Sequence, residues 1–147
     1  APRNVAQRLN VPFVDATKIT HDIETELGIE GSRKLHMWFR PGECSQIPKG
    51  RQDNTHYNVY GARLVANALA DEIGKQVPEL KKHVRHYDYV VSTRGRGNYF
   101  TLQDAVDAVP AGKRVKVLVL DGSWKKPENM KGKKIKFILQ FGAKITD

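Results

Sequence analysis

Thr101-Leu102-Gln103-Asp104-Ala105-Val106-Asp107-Ala108-Val109, followed by Val115-Lys116-Val117-Leu118-Val119-Leu120, is the stretch whose reading decides the fold. In its first part Leu102, Ala105, Val106 and Val109 recur at helical spacing, and Thr101 with Asp104 makes a variant of the capping box that opens a helix. Its second part is short, aliphatic and rich in β-branched residues, the strongest strand of the chain. Downstream, Ile135-Lys136-Phe137-Ile138-Leu139 reads as a second such strand. Upstream, Tyr89-Val90-Val91 is a short strand and Gly95-Arg96-Gly97-Asn98 a turn. Helices set among strands predict an α/β chain. No clear repeat is visible, although strands joined by short turns can begin a solenoid.

The first half has its own signals. Val11-Pro12-Phe13-Val14 suits a buried strand, with Pro12 holding it to a strand start or a sheet edge. Asp15 is placed to cap a helix from Ala16 to Leu27, where Ile19, Ile23 and Leu27 share a face and Gly28 supplies the stop. Residues 29–52 read as a long ordered loop, with a short helix near Arg33 to Trp38. A second helix runs from about Val59 to Lys75 on the stripe Val59, Ala62, Val65, Ala66, Leu69 and Ile73. The loop from Gln76 to Tyr87, carrying Pro78, is the expected domain junction.

Composition narrows the class. The 147 residues are 39% hydrophobic, enough for a core. No run of about 18 apolar residues exists to span a membrane. Cys44 is the sole cysteine, so an internal disulfide and a Cys-rich zinc site are both excluded. No His stands beside it in Arg40-Pro41-Gly42-Glu43-Cys44 to activate a thiolate. No metal ligand set and no cofactor is read from the chain, and the opening Ala1-Pro2-Arg3-Asn4 names no compartment. The net charge of +9 is uneven. Residues 1–90 hold 13 basic and 11 acidic side chains, and residues 91–147 hold 12 and 5. Basicity on that scale fits a solvated face or a polyanionic partner.

Asp53 and His56 carry the chemistry. On a turn, a carboxylate three residues before an imidazole can hold one ring N–H. That fixes the tautomer and stabilises the imidazolium formed when the ring takes a proton from a serine. Their flanks, Asp53-Asn54-Thr55-His56-Tyr57-Asn58-Val59-Tyr60-Gly61-Ala62, resemble the final block of the SGNH (GDSL-type) hydrolases, most of all the rhamnogalacturonan acetylesterase branch. Val11–Val14 with Asp15, Lys34–Trp38, Pro41–Cys44 and Lys49-Gly50-Arg51 look similar too. The resemblance covers residues 1–87 and implies the C-terminal portion of an α/β/α sandwich. By the same resemblance His56 is the general base, Asp53 orients it, and Gly61 lets the helix approach the sheet. The family's nucleophile sits in a Gly-Asp-Ser block. None of Ser32, Ser45, Ser92 or Ser123 has that context, so the nucleophile and oxyanion donors are expected outside this chain.

Residues 88–147 resemble another family. Tyr89-Val90-Val91-Ser92 with Gly97 to Pro110, then Val115–Leu120, Asp121-Gly122-Ser123-Trp124, Gly132–Ile135 and Gly142–Ile145, are similar to the opening of the pectin methylesterases. This implies a cap helix and the first coils of a right-handed parallel β-helix. That family's catalytic aspartates and arginine have no match here. Asp104, Asp107 and Asp121 read instead as cap, helix-surface and turn residues.

Together the resemblances imply a segment of a two-domain pectin-modifying carbohydrate esterase, a carboxylic ester hydrolase that deacetylates rhamnogalacturonan and demethylates homogalacturonan. The segment is expected to be inactive alone and marginally stable without its flanking domains. Its implied partner is a pectic polysaccharide, with no membrane, and its implied setting is extracellular or periplasmic. Two other readings stand beside this one. A basic nucleic-acid-binding module would use Lys113, Arg114, Lys125, Lys126 and Lys131 to Lys134, though the chain shows no nucleic-acid motif. A non-catalytic sugar-binding scaffold would stack rings on Trp38 and Trp124.

Overall fold

The computed structural model describes every residue except Ser45, Gln46, Gly95 and Asp121. The turn expected at Gly95, the turn role of Asp121 and the context of Ser45 therefore lie outside the described residues. The chain divides into two units, Ala1–Val84 and Arg85–Asp147. Helices and strands occur in both, a mixed α/β chain.

The first unit opens with helix α1 (Pro2–Leu9), begun by a proline whose missing N–H is harmless in a first turn. Val11–Val14 forms no strand, contrary to the sequence expectation, and Val11 is exposed. Its apolar run is too short to hold a strand without a partner, Pro12 offers no ladder N–H, and the Val11 amide is spent on Ala6 O at the end of α1. Helix α2 (Ala16–Arg33) starts where expected, the Asp15 carboxylate accepting the Lys18 amide at 3.1 Å. Gly28, at φ 65°, breaks the helical path, after which one further helical stretch resumes. Residues 29–52 are not one loop, and no helix spans Arg33 to Trp38. Instead β1 (His36–Phe39) and β2 (Arg51–Tyr57) pair as an antiparallel hairpin. Helix α3 (Val59–Gln76) follows, and a 3₁₀ turn, Pro78–His83, replaces the expected loop. The buried face of α3 runs through Gly61, Val65 and Gly74, while Val59, Ala62, Ala66 and Ile73 of the expected stripe are exposed.

Parallel pairing organises the second unit. Strands β3 (Tyr89–Val91), β4 (Arg114–Leu120) and β6 (Lys134–Gln140) form one sheet in the order β3-β4-β6, and β5 (Ser123–Lys125) pairs with β7 (Lys144–Thr146) in another. All these pairs are parallel. Helix α4 (Leu102–Asp107) makes the crossover from β3 to β4, as parallel neighbours require. Thr101 Oγ1 accepts the Asp104 amide at 3.0 Å and caps it. Alternation along β4 sends Val115, Val117 and Val119 into a core with Leu102, Ala105, Val109 and Trp124. Leu118 and Leu120 pack on the other face with Val90, Tyr87 and Ile138.

Candidate active site

The Asp53–His56 pair sits on a bulge. His36 of β1 lies opposite Tyr57, yet Met37 lies opposite Asp53. One step on β1 thus matches four on β2, and Asn54, Thr55 and His56 are pushed out of the ladder. Asp53 organises them. Its Oδ1 accepts the amides of Thr55 at 2.8 Å and His56 at 3.0 Å, and its Oδ2 faces the His56 Nδ1 at 2.9 Å. The backbone amide of His56, then that of Thr55, hold the Asp53 carboxyl down to about 2. An ionised carboxylate only accepts, so the proton between the two side chains resides on Nδ1, and in the neutral ring Nε2 is the nitrogen that carries the free lone pair. The imidazole is 71% exposed and the carboxylate 19%, so the base is open while its orienting group is shielded.

Two further contacts set the bulge in place. Trp38 Nε1 donates to Asn54 Oδ1 at 2.7 Å from across the hairpin. Asn58 then joins the strand to the helix. Its Oδ1 accepts the Gly61 amide and caps α3, and its Nδ2 donates to Lys34 O and His36 O. Its own amide reaches Leu35 O at 2.8 Å. Helix α3 comes so close to β1 that a Cβ on Gly61 would lie 2.2 Å from Leu35 O, which only a glycine permits.

Beneath the strand lies a polar cluster that the sequence did not single out. Tyr57 Oη donates to Glu24 Oε1 at 2.6 Å, and burial followed by that carboxylate pushes the phenol up to about 12. The buried His36 packs against Tyr57 with ring centroids 4.7 Å apart, and its Nδ1 meets Ser32 O at 2.8 Å. Asn58 was recoverable from sequence as a cap residue directly before an apolar stripe. Glu24 and His36 were not, because nothing local links them to Tyr57.

The described serines have the following surroundings. Ser32 Oγ donates to Ile29 O. Ser92 is fully buried in the second unit, where its Oγ accepts the Arg94 amide. Ser123 lies exposed at the start of β5. Among the described residues no serine is hydrogen-bonded to the His56 ring. Cys44 is half-buried in the turn after Arg40. Asp104 stands in the first turn of α4 and Asp107 accepts from Gln103 on its surface. Among the described residues no three His, Cys, Asp or Glu side chains converge to hold a metal ion, and no helix is long and apolar enough to cross a membrane.

The residues of the other two readings are also placed. Trp124 is 5% exposed and belongs to the core, so it offers no ring to a sugar. One face of Trp38 is covered by the Arg33 guanidinium, 4.7 Å from the ring centroid. Lys126 pairs with Asp147 at 2.7 Å, Lys125 with Glu128 at 3.6 Å, and Lys133 Nζ donates to the Val106 carbonyl at the end of α4.

Comparison with known proteins finds a similar enzyme. Over 84 residues, 57% of this chain, it is 36% identical to the rhamnogalacturonan acetylesterase RhgT of Bacillus subtilis (strain 168). The chain is similar to a known acetylesterase. It spans 36% of that curated relative's length. No protein-family model matches the chain, and no solved structure matches it.

Proposed function

We propose that the chain is a segment of a two-part, pectin-modifying carbohydrate esterase. Residues 1–87 contribute the acid–base half of an SGNH-type acetylesterase acting on rhamnogalacturonan. Residues 88–147 form the first coils of a right-handed parallel β-helix of pectinesterase type. The observation that carries the first part is the exposed His56 ring held at Nδ1 by Asp53. His56 Nε2 takes the proton of an attacking serine hydroxyl and returns it to the departing sugar oxygen, while Asp53 stabilises the imidazolium between those steps. The named activity of the Bacillus relative supports acetyl as the acyl group and rhamnogalacturonan as the polymer. The second part is supported by pairing offsets of 20 residues between β4 and β6 and 21 between β5 and β7, the regularity of stacked coils. The nucleophile and oxyanion donors come from outside these residues, so the segment is inactive alone. Acyl transfer written this way uses no cofactor, and a pectic substrate places the enzyme outside the cell or in a periplasm.

A chimera tests this. Residues 1–87 replace the matching stretch of the Bacillus acetylesterase, and acetate release from acetylated rhamnogalacturonan is measured. The folded chimera releases acetate, its His56→Ala variant falls by roughly 10⁴-fold, and the 147-residue chain alone releases none. A chimera with an intact melting transition and no acetate release overturns the proposal. So does acetate release by the chain alone that vanishes in His56→Ala, which would place a working nucleophile within it.

A further inference from the structure

The register of β4 against β6 does something no local reading shows. It sets Arg114 opposite Lys134 and Lys116 opposite Lys136. All four side chains are exposed and occupy one face of the sheet, alternating with the buried Val115 and Val117. Parallel strands lie about 4.8 Å apart and alternate residues about 6.6 Å along a strand, so four cations share a patch of roughly 5 by 7 Å. Among the described residues none of the four makes an ion pair or a side-chain hydrogen bond. The nearest acid in register is Asp88, and its carboxylate accepts the backbone amide of Lys116 at 2.8 Å. Lys125, Lys126 and Lys133 of the same unit, by contrast, each have a partner.

Like charges directly opposite one another in a sheet are destabilising. Repeated twice in register, with the adjacent Asp88 carboxylate bonded to a backbone amide rather than to a cation of the ladder, the arrangement costs stability unless an external anion covers it. We propose that this cation ladder is a docking surface for an anionic polysaccharide, a galacturonan carrying one carboxylate on each sugar. The choice of polymer rests on the pectic reading above. The ladder itself does not. A run of carboxylates at regular intervals can lie across both strands and meet a cation at each step. No aromatic side chain stands among the four cations to stack a base, which disfavours single-stranded nucleic acid.

The test measures binding of a labelled oligogalacturonate to the whole chain. The Lys116→Gln/Lys136→Gln variant is expected to bind about tenfold more weakly, with a shallower dependence on salt. It should melt no lower than the parent, because the repulsion between strands is relieved. Lys125→Gln/Lys126→Gln, at paired lysines, should change affinity less than about twofold. A fully methyl-esterified oligomer, which lacks the carboxylates, should bind poorly. Undiminished affinity in Lys116→Gln/Lys136→Gln overturns the proposal, as does equal binding of the esterified oligomer. Tighter binding of an oligothymidylate of equal charge, lost in the same variant, also overturns it in favour of nucleic acid. Ladder-dependent binding together with an inactive chimera removes the esterase reading and keeps this one, and the converse removes only the ladder.

Discussion

Among the described residues the first unit buries three apolar side chains, Ala6, Leu35 and Val65, whereas the second buries thirteen, from Val90 to Ala143. The smaller unit therefore has the larger core. The first unit is organised by polar devices instead: the Asp15 and Asn58 caps, the Asp53 bulge and the Glu24–Tyr57–His36 cluster. Each such hydrogen bond contributes about 1 kcal/mol net, while each fully buried valine or leucine contributes roughly 1.5–3 kcal/mol. The comparison teaches that the half bearing the candidate chemistry is held by geometry more than by burial. Its stability should respond to single polar atoms and close approaches, and that of the second unit to lost volume.

The two tryptophans let each unit be watched separately, Trp38 in the first and Trp124 in the second. The largest effect is expected from Gly61→Ala, whose new Cβ meets the Leu35 carbonyl. It should destabilise the first unit by about 3 kcal/mol in denaturant unfolding followed by Trp38 fluorescence, with Trp124 unmoved. Equal shifts in both signals would break the comparison, because the units would then unfold as one. Next comes Val117→Ala, at a fully buried position. It should cost about 2 kcal/mol in the Trp124 transition alone.

Asn58→Ala should cost the first unit about 1.5 kcal/mol through the lost cap and the two bonds to β1, and Asn58→Asp, which keeps the cap, should cost less. A loss no greater than that of an ordinary surface substitution would show that packing, not capping, holds α3. The smallest effect concerns acid. The Asp53 carboxyl titrates at about 2, below its ordinary 3.8, so the unfolded chain binds its proton first as pH falls. Its contribution is complete above about pH 4 and disappears as pH falls toward 2. The Thr55 and His56 amide resonances should report this, and in Asp53→Asn the step should vanish. A step that persists in that variant would assign the acid sensitivity to another carboxylate.

Much of the second unit was legible in sequence. Thr101 caps α4, Leu102, Ala105, Val106 and Val109 are buried, and β4 and β6 lie where their aliphatic runs placed them. In the first unit the Asp15 cap, the break at Gly28 and helix α3 were equally legible. The β1–β2 hairpin was not. β1 is only four residues long, β2 is almost wholly polar, and 11 residues of Gly- and Pro-containing chain separate them, so no periodicity announced the pairing. Val11–Val14 failed in the opposite sense: apolar residues suited to a strand found no partner.

The sequence by itself determined the Asp15 and Thr101 caps, the break at Gly28, the aliphatic strands β4 and β6 and the three-residue spacing of Asp53 and His56. These depend on neighbours a few positions apart, whose energies act in any fold. Only the tertiary structure decided that Asn54 to His56 leave the ladder as a bulge, that Asn58 ties α3 to β1, and that Arg114 and Lys116 lie against Lys134 and Lys136. Each of those depends on strand register. Register is set by pairing between residues far apart in the chain, where a single-residue slip would turn every side chain to the other face.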